Sequence, residues 1–265
     1  MSFHKNVINS DLFQKLMRAQ YPEDLKREEK KKLLEQASCY YVHPGELQDN
    51  ILVSHANYAH PVLSSGKHSN GYMNLAVLPP KLLFEAMRQM ANMIKREIDL
   101  ERCADGSIYV CGPAQGAVVP GVILAHYLGD NVVPIYAEKH KQLDGLMTLD
   151  RFSIPGEDEI FLIMLEDTMT TGKSTLKALD SITRKYPGRK ITVLCLCLIV
   201  DRRIESHVIS EWPVFSWLDY RENAFKTYDQ GNCPYCNGSS FAELLPKSNW
   251  GEQFANSSLS NLSVS

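Results

Sequence analysis

Between Ser107 and Trp217 short continuous apolar runs alternate with longer segments whose apolar residues recur at helical spacing. Ser107–Cys111, Val132–Ala137, Phe161–Leu165, Ile191–Val200 and Trp212–Trp217 read as strands, and Val118–Leu128 and Lys173–Ile182 read as helices. Ile191–Val200 (Ile-Thr-Val-Leu-Cys-Leu-Cys-Leu-Ile-Val) is almost wholly apolar, as a parallel strand covered on both faces must be. The succession strand, helix, strand, long polar connection, strand, helix, strand predicts an α/β domain with a mainly parallel central sheet flanked by helices.

The first part of the chain reads differently. Ser10–Ala37 is helix-like, with Leu12, Leu16 and Met17 at helical spacing, and its charge run Lys26–Lys32 reads as a solvated face. Pro44 and Gly45 mark a loop, Glu46–Tyr58 a second short helix, and Val62–Leu78 a hairpin or tight loop carrying two glycines among serines. Pro79-Pro80 opens a helix to about Ile98, whose Leu83, Met87, Met90 and Ile94 share an apolar face expected in the core. From Ser248 the sequence is rich in serine and asparagine and reads as a flexible tail. The expected organisation is a helical segment over 1–60, one main domain over 61–245, and a tail over 246–265.

Composition narrows the class. With 44% hydrophobic and 22% charged residues the chain is that of an ordinary globular protein. A net charge of −3 argues against nucleic acid as partner, and no apolar run is long enough for a bilayer span. Met1–Asn9 lacks the apolar core of a secretory signal. Seven cysteines, an odd number, fit a reducing compartment, so the cytoplasm is expected.

The chemistry gathers at Phe161–Thr175. An apolar strand ends in Glu166-Asp167, and a loop of hydroxyl-bearing and small residues (Thr168, Met169, Thr170, Thr171, Gly172) leads to Lys173-Ser174 at a helix start. Backbone N–H groups and a helix N-terminus suit a phosphate, and paired carboxylates suit the vicinal hydroxyls of a sugar. Together they point to a ribose phosphate. A nucleoside triphosphate P-loop is excluded by spacing, since it needs glycine five residues before Gly172 and Asp167 stands there. A second strand–loop–helix, Gly112-Pro113-Ala114-Gln115-Gly116 before Val118, is another anion-receiving arrangement and lacks the third glycine of a dinucleotide fingerprint. The polar connection 138–159 carries Lys139, Lys141 and Arg151 and has the length of a lid that shields a reacting sugar from water. After Ile191–Val200 comes Asp201-Arg202-Arg203, at the strand end that faces a ligand crevice, where arginine clamps a planar carboxylate. Cys233-Pro234-Tyr235-Cys236 is a Cys-x-x-Cys knuckle. A zinc site needs four ligands, no second exposed cysteine pair is visible, and Cys195 and Cys197 belong to a buried strand, so unliganded thiols are expected ahead of the alternative, a zinc site.

The stretch Glu166-Asp167-Thr168-Met169-Thr170-Thr171-Gly172 resembles the ribose-phosphate signature of type I phosphoribosyltransferases: hydrophobic strand, two acids, two variable residues, Thr-Thr-Gly. Ser65, Gly66, Ser69, Tyr72 and Asn74 fall on the hood pattern of the orotate phosphoribosyltransferases, although Ser64 stands where many members have lysine. Gly66-Lys67-His68-Ser69, Ala137-Glu138-Lys139, Gly145-Leu146-Met147, Arg151-Phe152 and the C-terminal Cys-Pro-x-Cys are similar to one branch of that family. The Arg-Lys-Glu-x-Lys-x-His-Gly lid of many members is absent.

The resemblance implies a type I phosphoribosyltransferase-like fold with a hood (61–78), a lid (138–159) and a small C-terminal extension. It implies an enzyme of pyrimidine nucleotide biosynthesis that moves ribose 5-phosphate from phosphoribosyl pyrophosphate to orotate, with Mg²⁺ carried by the pyrophosphate and no direct protein ligand to it. Glu166, Asp167 and Lys139 are the implied catalytic residues. Phosphoribosyl pyrophosphate would be held by Gly112–Gly116, Lys139, Lys141 and Glu166 through Ser174, and the base by Ser65, Gly66, Ser69, Tyr72, Thr170 and Arg202. A homodimer, with no nucleic-acid or membrane partner, is implied as well. The alternatives are a phosphoribosyltransferase for a purine or another nucleobase, or a non-catalytic regulator that binds phosphoribosyl pyrophosphate.

Overall fold

The computed structural model describes residues 8, 10–43, 47–48, 51–52, 60–63, 66–103, 107–143, 145–156, 159–203, 209, 211–221, 225–236 and 243–244. Ser65 and the tail 246–265 lie outside the described residues. The chain forms two compact units, one from Met1–Leu33 and Pro79–Ala224, the other from Leu34–Leu78 and Phe225–Ser265.

Helix α1 spans Asp11–Arg18, with the Ser10 hydroxyl accepting from Phe13 N–H (3.1 Å), and α2 spans Arg27–Gln36. The continuous helical reading of Ser10–Ala37 is thus corrected: Pro22 opens a short 3₁₀ turn, Pro22–Asp24, that separates the two helices. The charge run is not wholly solvated either. Lys30 is 6% exposed, its ammonium donates to the Trp217 carbonyl (2.5 Å), and burial lowers it to about 8.

In the smaller unit follow β1 (Tyr40–Val42), β2 (Leu47–Gln48), β3 (Ile51–Leu52), β4 (His60–Pro61), β5 (His68–Ser69) and β6 (Gly71–Met73). The expected helix Glu46–Tyr58 is replaced, in its described part, by the antiparallel pair β2–β3, since Leu47 and Gln48 pair with Leu52 and Ile51. β1 and β6 pair antiparallel, with Tyr41 opposite Tyr72. The expected hairpin within Val62–Leu78 is present: Gly66 turns at φ +78, Leu63 N–H donates to the Lys67 carbonyl (2.8 Å), and Val62 bridges His68.

The larger unit resumes at α3 (Pro80–Glu97), then β7 (Ile108–Pro113), α4 (Val118–Leu128), β8 (Val132–Lys139), β9 (Met147–Thr148), β10 (Ile160–Met169), α5 (Lys173–Lys185), β11 (Ile191–Asp201) and β12 (Val214–Asp219). The six-stranded sheet has the order β12-β11-β10-β7-β8-β9, parallel except for β9 at the edge. This is the mainly parallel sheet that the apolar runs predict. Leu162, Met164, Leu196 and Leu198 are fully buried and join Ala178 and Ile182 of α5 in one cluster. On α3 Met87, Met90 and Ile94 of the expected apolar face are fully buried; Leu83 is half-buried, Leu82 is fully buried in its stead, and Gln89 is fully buried with them. Gln89 donates to the Leu16 carbonyl (3.2 Å) and accepts from the Trp217 indole N–H (3.1 Å), so a polar side chain locks α1, α3 and β12 together.

The chain then returns to the smaller unit with β13 (Thr227–Tyr228), antiparallel to β5, and β14 (Glu243–Leu244), parallel to β4.

Candidate active site

In the sheet order β7 and β10 are neighbours, β8 lies beyond β7, and β11 and β12 lie beyond β10. The connections leaving β7 and β10 therefore run in opposite directions, which opens a crevice at the C-terminal ends of these two strands. The two loops singled out by their small residues both start there.

Gly112 and Pro113 are the last residues of β7, so that strand reaches two residues further than its apolar run. Its extension is paired with β8, where Gly112 and Pro113 face Tyr136 and Ala137, and Ala114 N–H donates to the Ala137 carbonyl (2.8 Å). The Ala114–Gln115 peptide is cis, and Gln115 and Gly116 are exposed before α4 begins at Val118. A methyl group on Gly112 would collide with the Leu165 carbonyl, and one on Gly116 with the Asp167 carboxylate. At Gly112 the obstacle is backbone, so glycine is required there; at Gly116 any side chain would displace the Asp167 carboxylate.

β10 does not stop at the acids. It continues through Glu166, Asp167 and Thr168 to Met169, because β11 pairs with it as far as Met169 opposite Asp201. Successive residues on a strand face opposite sides. Glu166 turns towards α5, where Thr175 donates its hydroxyl to Oε2 at 2.5 Å, and Asp167 turns towards Gly116. Burial raises the Glu166 carboxyl to about 7, with the neighbouring Asp167 charge adding to the effect and the Thr175 hydroxyl opposing it. Burial also raises Asp167, against the Thr168 N–H that donates to Oδ1 (2.7 Å). Thr175 was not singled out by the sequence; its signal is a hydroxyl in the first helical turn after the loop, where the chain has folded back beside the strand end.

Beyond Met169 the backbone bends through Thr170 and Thr171, both exposed, into α5. Gly172 caps that helix in the left-handed region (φ +70), and a Cβ there would meet Ile209 Cδ1 at 2.8 Å. A glycine cap has no side chain to occupy the first helical N–H groups, which leaves them for an anion beside exposed Lys173 and half-buried Ser174. Met169 differs from its neighbours: its side chain is buried in the core, so only its backbone borders the crevice.

Arg202 follows directly on β11, and its N–H donates to the Met169 carbonyl (2.9 Å), which ties it to the β10 loop. Arg203 takes the structural role instead. It is 3% exposed and holds the buried Asp201 carboxylate through Nε (2.9 Å) and Nη2 (2.8 Å).

Lys139 ends β8 opposite Met147, and the turn between these strands carries exposed Lys141 and Gly145 at φ +75. The expected lid therefore has two parts. Met147, Leu149 and Ile154 are buried, and α5 holds their backbone: Arg184 donates to the Met147 carbonyl (2.8 Å) and Lys185 to that of Leu149 (2.6 Å). Lys139 and Lys141 project on the exposed hairpin end, whereas Arg151 pairs with Glu138 (2.8 Å).

In the smaller unit Gly66 makes the hairpin turn and Tyr72 is half-buried on β6. Ser69 is 1% exposed, its hydroxyl lying 2.8 Å from the Gly71 carbonyl and 3.1 Å from that of Lys226, so it pins its own strand to the segment before β13.

No family model matches the chain. Among curated proteins it is 31% identical over 199 residues to the orotate phosphoribosyltransferase of Sulfurovum sp. (strain NBC37-1), covering 69% of this chain and 89% of the relative. It is 34% identical over 181 residues to that of Caldicellulosiruptor saccharolyticus, covering 67% and 82%. Among solved structures, the orotate phosphoribosyltransferase of Aeropyrum pernix aligns with a TM-score of 0.47 at 16% identity, over 72% of this chain and 94% of that one. At the identities and coverage of the two curated relatives, the chain belongs to the orotate phosphoribosyltransferase family, whose members are enzymes of the glycosyltransferase class.

Proposed function

We propose that the enzyme transfers the 5-phosphoribosyl group of phosphoribosyl pyrophosphate to N1 of orotate, giving orotidine 5′-phosphate and pyrophosphate. The observation that carries this reading is the meeting, at one crevice, of an acid-bearing loop that leads into a glycine-capped helix with a small-residue loop pressed against it. Purine or other nucleobase acceptors would use the same cradle. What favours orotate is the name shared by the curated relatives and the position of Arg202 beside the β10 loop.

The backbone N–H groups and hydroxyls of Thr168–Ser174 hold the 5-phosphate. Glu166 and Asp167 accept hydrogen bonds from the ribose hydroxyls and steady the positive charge that grows on the ring as the bond from C1 to the pyrophosphate oxygen breaks. Gly112–Gly116 receives the leaving pyrophosphate, with Lys139 and Lys141 approaching from the exposed hairpin. Arg202 clamps the orotate carboxylate with two parallel hydrogen bonds, and Thr170 borders the base. Orotate is already an anion, so positioning and leaving-group stabilisation carry most of the barrier reduction.

The family implies Mg²⁺, and the residues present fit it: the polar groups at the loop junction are carboxylates, Asp167 lies against Gly116, and this ion takes oxygen ligands and keeps several waters. Asp167, and Glu166 through water, would border a Mg²⁺ carried by the pyrophosphate, which supplies charge neutralisation to the leaving group. A homodimer is part of the reading, supported by Val119 and Val122, which lie 58% and 53% exposed on α4. So is a cytoplasmic location, supported by seven cysteines of which none is in a disulfide.

Pyrophosphate release from phosphoribosyl pyrophosphate and Mg²⁺, measured with orotate, uracil, adenine, guanine and nicotinamide, tests the proposal. Turnover with orotate alone is expected. Turnover with adenine and not orotate would overturn the acceptor, and binding of phosphoribosyl pyrophosphate without turnover on any base would overturn catalysis.

A further inference from the structure

The Cys-x-x-Cys knuckle lacked a second pair of ligands in the sequence, and the fold supplies one from far upstream. His60, His68, Cys233 and Cys236 bring one ligand atom each to a single point, all four atoms lying within 4.8 Å of one another. His60 Nε2 and His68 Nδ1 are 2.8 Å apart, and Cys236 Sγ lies 3.3 Å from the first and 3.1 Å from the second. His60, His68 and Cys233 are 0–2% exposed.

We propose that these four side chains form a structural zinc site of the Cys₂His₂ type. With bonds of about 2.3 Å to sulfur and about 2.0 Å to nitrogen, a tetrahedral site has ligand–ligand edges of roughly 3.3–3.8 Å. The three separations among His60, His68 and Cys236, 2.8–3.3 Å, lie at or just below that range, so these ligands need move outward by only a few tenths of an ångström to admit an ion, with Cys233 Sγ within 4.8 Å of each. Two thiolates with two imidazoles select zinc over the oxygen-seeking Mg²⁺ and Ca²⁺. All four positions are filled by protein, so the site is closed and has no place for a reacting water.

The local folds aim the ligands without help from the ion. His60 and His68 flank the Gly66 turn, and the Val62–His68 bridge brings the two histidines to one side of it. On the other side Cys236 N–H donates to the Cys233 carbonyl (3.1 Å), which closes the knuckle and turns both sulfurs inward. The pairing of His68 with Tyr228 brings the hairpin and the knuckle together. Tyr235, inside the knuckle, covers the cluster: its ring centroid is 5.9 Å from that of His60 and 4.5 Å from that of His43. The need for such a cross-link is physical. Described strands of this unit are two or three residues long, and a small unit with so little ladder is one that metals commonly hold together. The ion joins segment 60–68 to segment 233–236, two parts of the unit separated in sequence by the whole of α3 through β12.

The test begins with untagged full-length chain purified under reducing conditions from zinc-supplemented medium. Elemental analysis should find about one zinc per chain, as a four-ligand site of this kind holds a single ion. After demetallation, Co²⁺ alone should restore a tetrahedral visible spectrum with a thiolate-to-cobalt charge-transfer band. Cys236→Ser should lose the bound zinc and the charge-transfer intensity. If that variant fails to fold, the wild-type cobalt titration and the recovery of its melting temperature on adding zinc decide the matter alone. Fully reduced, folded protein that takes up neither Zn²⁺ nor Co²⁺ overturns the proposal, as does a Cys233–Cys236 disulfide in protein made with zinc present.

Discussion

Replacing Glu166 with glutamine should make the free enzyme more stable at pH 8 while impairing catalysis. The side chain is held largely out of water beside a second carboxyl, and its proton is retained up to about pH 7 instead of 4.5. Below about pH 4.5 the group is protonated whether the chain is folded or not, and it costs nothing. As pH rises from there to 7 the unfolded chain releases the proton and the folded one resists, so this group's contribution to stability falls across that window. The gap between 4.5 and about 7, at roughly 1.4 kcal/mol per pH unit, corresponds to about 3 kcal/mol at pH 8. That figure is a ceiling, because residual solvent around a half-buried carboxylate screens part of it. Glutamine keeps the shape and an oxygen to accept the Thr175 hydroxyl, and it removes the charge. Urea unfolding of wild type and E166Q at intervals between pH 5 and pH 8 isolates the effect, since carboxylates elsewhere contribute equally to both proteins. The difference should grow with pH and level off above about 7. At about 2–4 °C per kcal/mol it appears as a melting-temperature gain of on the order of 5–10 °C. A variant that is no more stable than wild type at pH 8, or whose advantage is the same at pH 5, would refute the burial argument.

Three other outcomes follow from the same geometry. The kcat/KM for phosphoribosyl pyrophosphate should rise with pH through about 7, because the ionised Glu166 accepts the ribose hydroxyls; E166Q should flatten that limb, and an unchanged inflection would assign it elsewhere. Arg202→Ala should raise KM for orotate by 10-fold or more, in line with about 1.5–3 kcal/mol for a hydrogen bond to a charged group, and leave phosphoribosyl pyrophosphate binding within 2- to 3-fold; equal losses for both ligands would contradict its assignment to the base. Gly116→Ala should weaken phosphoribosyl pyrophosphate binding by calorimetry more than it lowers the melting temperature, because the added methyl meets the Asp167 carboxylate on an exposed loop; wild-type affinity would show that the two loops need not lie so close.

The parts of this molecule legible in the sequence are those set by short-range rules. Apolar runs located β7, β10 and β11, which are largely buried on both faces and so have no polar alternation to confuse them, and the same runs located β8 and β12, which are only partly buried. The limits of these strands were not legible, since pairing carries β10 through Glu166 and Asp167 and β7 through Gly112 and Pro113 regardless of polarity. Lys30 could not be distinguished from the other lysines of its run, because its partner is a carbonyl at Trp217, far along the chain. Arg202 and Arg203 are adjacent and chemically alike, and only the side on which Asp201 lies decides that Arg203 braces the strand end.

The same limit accounts for Glu166-Asp167, the feature most visible in the sequence. The two neighbouring acids are consecutive residues of a strand, one braced by the Thr175 hydroxyl and the other set against Gly116. Each acid thereby has a different neighbour, and in the proposed reaction the loops after β7 and β10 hold different phosphate groups of one donor. The motif specifies the pair of charges; the pairing of β10 with β11 determines that both stand on the strand itself, at the switch point between β7 and β10, and not in the loop that follows.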